Sequence, residues 1–154
     1  MDLEHIFRAH QREVFAYFFR IMGNRNDAEE LTQETFVRAC GAALRFRGDS
    51  SVRTWLFGIA RRVFLEAVRA GALDRPLDLP VDAPAPDPTV HPGERVDLER
   101  ALASLGVADR EVLVIVDMLG FQPIEAAGML GIAPEAARVR LHRARTRLRE
   151  AYGR

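Results

Sequence analysis

Between residues 3 and 70, apolar side chains recur every third or fourth position instead of alternating, which places them on single faces of helices. The spacing predicts helices at about 3–22, 26–44, 51–58 and 59–70. The first carries Ile6, Phe7, Val14, Phe15, Phe18, Phe19 and Met22 as a broad stripe and stops at Gly23-Asn24, with Asn26 or Asp27 available to cap the next. The second turns Leu31, Thr35 and Val37 or Ala39 toward a core. In the same helix Cys40, among Phe36, Val37, Ala39 and Ala43, is expected to be a small buried core residue. Further along, Val96–Ser104 and Asp109–Leu119 read as two more helices. The expected class is therefore all-α, with two small helical domains.

Residues 120–149 form a short helix, a glycine-containing turn and a longer arginine-studded helix, the pattern of a helix-turn-helix. Gly131 can take a positive φ at a helix C-terminus, while Pro123 and Pro134 suit the first turns of the two helices. In the second helix Ala137, Leu141, Ala144 and Leu148 share one face, and Arg138, Arg140, Arg143, Arg145, Arg147 and Arg149 take the others. No acid interrupts this run before Glu150, so six guanidinium groups are expected to be available to phosphates or base edges. An ordinary solvated basic face, or an arginine patch that pairs with a protein, is the plainer alternative.

Composition narrows the class. A chain of 154 residues, 48% hydrophobic and 29% charged, suits one ordinary domain or two small ones. No run approaches a membrane span, and the start Met-Asp-Leu-Glu-His is acidic and not signal-like. The expectation is a cytoplasmic protein with no membrane contact of its own. A lone cysteine and four scattered histidines, His5, His10, His91 and His142, make a metal site unexpected. No phosphate loop, carboxylate pair or Ser/His/Asp arrangement appears. Neither a cofactor nor catalytic residues are expected, and the chain does not read as an enzyme.

A net charge of zero is unusual for an independent DNA binder, whose affinity comes mainly from cations on phosphates. Its distribution accounts for part of this: residues 71–97 hold 2 arginines against 6 acids, whereas residues 1–70 hold 11 against 9 and residues 98–154 hold 9 against 7. Every basic residue is arginine, so each is a potential fork-shaped donor. The acidic stretch from Asp74 to Gly93 contains six of the eight prolines and reads as an extended linker. The expected organisation is a first domain at 1–71, a linker at 72–95 and a second domain at 96–154.

Two stretches flanking that linker match one family. Asn26-Asp-Ala-Glu-Glu-Leu-Thr-Gln-Glu-Thr-Phe-Val-Arg-Ala39 is followed by Phe46-Arg-Gly-Asp-Ser-Ser-Val-Arg-Thr-Trp-Leu-Phe-Gly-Ile-Ala-Arg61. Beyond the linker stand Asp109-Arg-Glu-Val-Leu and then Gly131-Ile-Ala-Pro-Glu-Ala-Ala-Arg-Val-Arg-Leu-His-Arg-Ala-Arg145. With these motifs the chain resembles an extracytoplasmic-function (group IV) sigma factor of bacterial RNA polymerase, in the sigma-70 family, over most of its length. The first pair resembles region 2 and the second region 4.

The resemblance implies a promoter-specificity subunit that binds core RNA polymerase, recognises minus-10 and minus-35 elements and promotes melting. Asp27, Glu29, Glu30, Gln33 and Glu34 would dock on the clamp helices of the largest subunit, with the flap as a further polymerase contact. Acids at a helix N-terminus also have a purely structural explanation in the macrodipole. The loop of Phe46, Arg47, Gly48, Asp49, Ser50 and Ser51 would capture a flipped minus-10 base, with Trp55, Arg61, Arg62 and Arg69 nearby. Trp55 equally suits a core anchor. Pro134, Glu135, Arg138, Arg140, His142, Arg143 and Arg145 would meet minus-35 DNA, the earlier residues at bases and the later arginines at phosphates. The acidic linker would thread polymerase channels, and an anti-sigma factor would hold the chain inactive.

This chain has Arg62 where the family usually has Asn and Glu66 where it has Asp. Pro123 replaces an aromatic, Ala126 a branched aliphatic, and Glu135-Ala136-Ala137 a Gly-Thr-Val. The fold is expected to survive these changes and the promoter preference to differ. The other classes left open are a stand-alone helix-turn-helix regulator and a sigma-like adaptor that does not recognise promoters.

Overall fold

The computed structural model describes residues 2–71 and 92–152. Helix α1 spans Leu3–Met22 as expected. Asp2 Oδ1 accepts from the His5 N–H at its start, and Gly23, with φ 71°, ends it. Helix α2 runs Arg25–Ala42 and tightens into a 3₁₀ turn at Ala43–Arg45. Its cap is neither Asn26 nor Asp27 but Asn24, whose Oδ1 accepts from the Asp27 N–H at 3.0 Å. Leu31, Thr35 and Ala39 face the core, and Val37 points outward. Cys40 is exposed, contrary to the expected burial, because the Leu31/Thr35/Ala39 stripe already fills the inward face.

The third element corrects the sequence pattern more strongly. The two helices expected at 51–58 and 59–70 are one, α3, spanning Val52–Arg69. Gly58 weakens a helix without breaking it, and neither Ile59 nor Ala60 carries an oxygen to cap a new one. Leu56, Phe57, Ile59, Ala60, Val63 and Phe64 bury continuously across the glycine.

Residues 72–91, the body of the expected linker, lie outside the described residues. Its expected end does not: helix α4 begins at Pro92 and runs to Ala103, since proline at a first helical position gives up an N–H that would have no partner. Helix α5 covers Val107–Leu113. A π-helical turn at Val114–Met118 follows, where the Leu119 N–H reaches the Val114 carbonyl at 2.9 Å. The helix expected at 109–119 is thus present, starting at Val107 and widening to π geometry over its last five residues. The helix-turn-helix consists of α6, Pro123–Leu130, and α7, Pro134–Tyr152, separated by Gly131 at φ 68°.

The helices preceding and following the linker form one continuous apolar core. Phe57 of α3 meets Phe121 edge-on at 5.4 Å. Arg53 lies 4.1 Å over the Phe121 ring, donates to both Glu13 carboxylate oxygens at 3.1 Å, and donates to the Leu119 carbonyl. Arg110 is buried among them, 1% exposed: its guanidinium donates to Ile21 O near the end of α1, to Ala103 O at the end of α4 and to Leu105 O beyond it. Burial pushes this guanidinium down to about 10, with Glu99 opposing the shift, so it stays charged at neutral pH. Replacing Arg110 with Met strands three carbonyls. The expected cost is about 3–5 kcal/mol, measured as loss of unfolding free energy in urea.

Candidate nucleic-acid and protein interfaces

Helix α2 presents Glu29, Glu30, Gln33 and Glu34 on its exposed face, with Asp27 half-buried at its first turn. Arg25 pairs with Glu29 at 3.3 Å and Arg38 with Glu34 at 2.9 Å. Arg38 also reaches Glu66 of α3 at 2.5 Å, so the atypical Glu66 ties the two helices together. Its hydrogen bonds with Glu34 and then Glu66 hold the Arg38 guanidinium above its ordinary value.

The loop after α2 turns at Gly48, φ 79°, and Ser51 caps α3 by accepting from the Thr54 N–H at 3.0 Å. Arg45, Phe46, Arg47, Asp49, Ser50 and Trp55 line an open depression of about 440 Å³. The loop residues expected to capture a base are therefore brought together. Trp55 is half-buried, packs on the core, and supports Phe46 with ring centroids 5.1 Å apart. It thus combines the anchor role with a wall of the depression.

The α3 arginines divide. Arg62 and Arg69 are exposed on the Trp55 side, one and two heptads further along. Arg61 instead faces the C-terminal helices, where its Nε donates to Glu111 Oε2 at 3.1 Å. The same oxygen accepts from the Tyr17 hydroxyl at 2.9 Å. Burial, and then the Glu111 carboxylate, raise the Tyr17 phenol well above its usual range, keeping it a donor.

On α7 the predicted apolar face is present: Ala137, Leu141 and Ala144 are buried and Leu148 half-buried. The six arginines are not all open, as their sequence suggested. Arg143 and Arg147 grip the two oxygens of Asp109 at 2.8 and 2.5 Å, Arg145 holds Asp117 at 2.6 Å, and Arg138 pairs with Glu135 at 2.6 Å. The acids that partner Arg143, Arg145 and Arg147 stand 28 to 38 residues earlier, invisible to a scan along the helix. Of the expected minus-35 set, Pro134, Glu135, Arg138, His142, Arg143 and Arg145 are exposed and Arg140 is half-buried. Glu135, Ala136, Val139, Arg140 and Arg143 line a shallow depression of about 350 Å³ along the helix.

Sequence reasoning missed the roles of Asp109, Arg110 and Glu111, three consecutive charged residues of which each is less than 5% exposed. Asp109 anchors α7, Arg110 closes the ends of α1 and α4, and Glu111 receives Tyr17 and Arg61. Burial works to raise the Asp109 carboxyl, but the hydrogen bonds and charge of Arg143 and Arg147 outweigh it and hold the carboxyl below its usual value. The available signal was a charged triplet leading directly into the apolar run Val-Leu-Val-Ile-Val.

Comparison with known proteins agrees with this geometry. Residues 6–72 match the model for sigma-70 region 2, and residues 95–148 match that for sigma-70 region 4. The ECF RNA polymerase sigma factor SigC of Mycobacterium tuberculosis is 34% identical over 95% of this chain and 80% of its own length. The chain belongs to the extracytoplasmic-function sigma factors of the sigma-70 family. SigM of M. tuberculosis is 30% identical over 97% of this chain and 76% of its own. The chain spans 60% of the length of SigE from Mycolicibacterium smegmatis, to which it is 34% identical. Among solved structures, the sigma factor RpoE from Bartonella quintana, in complex with the anti-sigma factor NepR, superimposes with TM-score 0.82 at 24% identity, covering 96% of this chain and 94% of that one. CnrH, in complex with the cytosolic domain of CnrY, gives 0.64 at 26% identity, covering 95% and 84%. No helix among the described residues is long and apolar enough to cross a membrane.

The Asp109 anchor has a defined pH signature. Because its folded pKa lies below the unfolded value of about 3.9, its contribution is fully present above that value and is lost as pH falls through the folded pKa. Asp109→Asn is expected to cost about 1–2 kcal/mol at pH 7 and progressively less as pH falls below about 3.9, followed by urea midpoints across that range.

Proposed function

We propose that this chain is a dissociable promoter-specificity subunit acting in the cytoplasm, with two domains joined by a linker. It binds core RNA polymerase through both, recognises minus-10 and minus-35 DNA and assists melting, and is not itself an enzyme. The observation that carries the reading is the tandem order of regions 2 and 4, with an acidic α2 face and a helix-turn-helix both at the surface.

The acidic face suits docking on the clamp helices of the largest polymerase subunit, and the C-terminal half suits the flap. The depression beside Phe46 and Trp55 suits an unstacked minus-10 base, with Arg47, Arg62 and Arg69 for the backbone. Arg61 reaches DNA only by giving up Glu111, so minus-10 contact is coupled to separation of the two halves. The arginine pairs with Asp109 and Asp117 likewise lower the charge that α7 offers to DNA, which suits a protein dependent on polymerase for promoter affinity. An anti-sigma factor is proposed as a second partner, by analogy with the RpoE–NepR and CnrH–CnrY complexes.

The same pairing of α7 arginines favours a second reading, an adaptor that binds polymerase or an anti-sigma factor and leaves promoters alone. Run-off transcription with core polymerase on a genomic promoter library separates the two. Discrete start sites are expected with the wild type, and Arg138→Ala with Arg140→Ala is expected to weaken or redistribute them roughly tenfold. Core binding without any start site would establish the adaptor instead. Glu30→Arg with Glu34→Arg is expected to weaken core binding in a pull-down titration while leaving the helical circular dichroism unchanged, since both side chains are exposed.

A further inference from the structure

Helix α7 turns about 100° per residue, so its buried residues Ala137, Leu141 and Ala144 fix where every other side chain points. Val139 falls roughly opposite the centre of that buried face and is 63% exposed. Glu135 and His142, about one turn to either side, continue the same ridge. The arginines fall on its flanks, Arg138 and Arg145 on one side and Arg140 and Arg143 on the other. A β-branched side chain here contributes nothing to the core and is a weaker helix former than alanine.

An apolar side chain pointing outward between Arg138 and Arg140 matches the floor of a major groove, where base edges lie between walls of phosphate. On that floor the apolar projection is the 5-methyl group of thymine, and an apolar side chain is its complement. We infer that Val139 reads a thymine methyl in the minus-35 element, with Ala136 beside it on the same open surface. The inference rests on the promoter-recognition reading and adds a specificity-determining residue outside the arginines. Val139 touches the base directly, between Arg138 and Arg140.

The test uses holoenzyme assembled from core polymerase and the full chain. Duplexes randomised at minus-35 are selected for binding, and each selected thymidine is then replaced singly by 2′-deoxyuridine, which lacks only the methyl. At one position the wild type is expected to bind the uracil duplex roughly three- to tenfold more weakly. Val139→Ser should bind both duplexes equally, and Val139→Thr, which keeps a methyl, should restore the difference. Circular dichroism of the variants should match the wild type because the side chain lies outside the core. Indifference of the wild type to every uracil, or an undiminished penalty in Val139→Ser, overturns the inference and leaves promoter recognition standing. A selection that yields no sequence preference overturns both.

Discussion

A buried guanidinium sets the architecture of this protein. Arg110 donates to Ile21 O near the end of α1, to Ala103 O at the end of α4 and to Leu105 O beyond it, joining the halves on either side of the linker. Helix C-termini leave carbonyls without partners and carry partial negative charge, so a cation there satisfies both needs. A charge this deep is tolerated only when its donors are used, which restricts how the surrounding helices can sit.

The neighbours of Arg110 extend that constraint in two directions. Asp109 takes Arg143 and Arg147 and sets the lie of α7 against α5. Glu111 takes Tyr17 from α1 and Arg61 from α3, binding the first half to the second through one carboxylate oxygen. Three successive residues thus connect the helix-turn-helix, the linker-proximal helices and the region 2 bundle. The arrangement is polar at its centre and apolar around it, where Phe57 and Phe121 meet. Polar contacts of this kind can be exchanged for phosphates or partner side chains, whereas a purely apolar joint would offer nothing to trade. The surfaces proposed for DNA on α3 and α7 therefore lie next to the contacts that hold the molecule together.

Much of the fold was legible in the chain because helical periodicity and turn chemistry are local. Helix α1, the Gly131 turn, the prolines that open α6 and α7, and the apolar face of α7 all follow from residues within a few positions of one another. The differences are of the same scale: α3 runs unbroken through Gly58, and α2 is capped by Asn24 in place of Asn26 or Asp27. Cys40 lies outside the core because Leu31, Thr35 and Ala39 already occupy the inward face of α2.

The sequence by itself determined the all-helical class, the family and the neighbourhood of each candidate site, since those are written in motifs and periodicities of fewer than twenty residues. Only the tertiary structure decided which charges are spent. The runs Asp109-Arg110-Glu111 and Arg138 to Arg149 look equally exposed as text, yet the first is buried and half of the second is engaged by Asp109 and Asp117. The physical reason is range: hydrophobic spacing acts between neighbours along the chain, whereas an ion pair is made by whatever folding brings within a few ångströms.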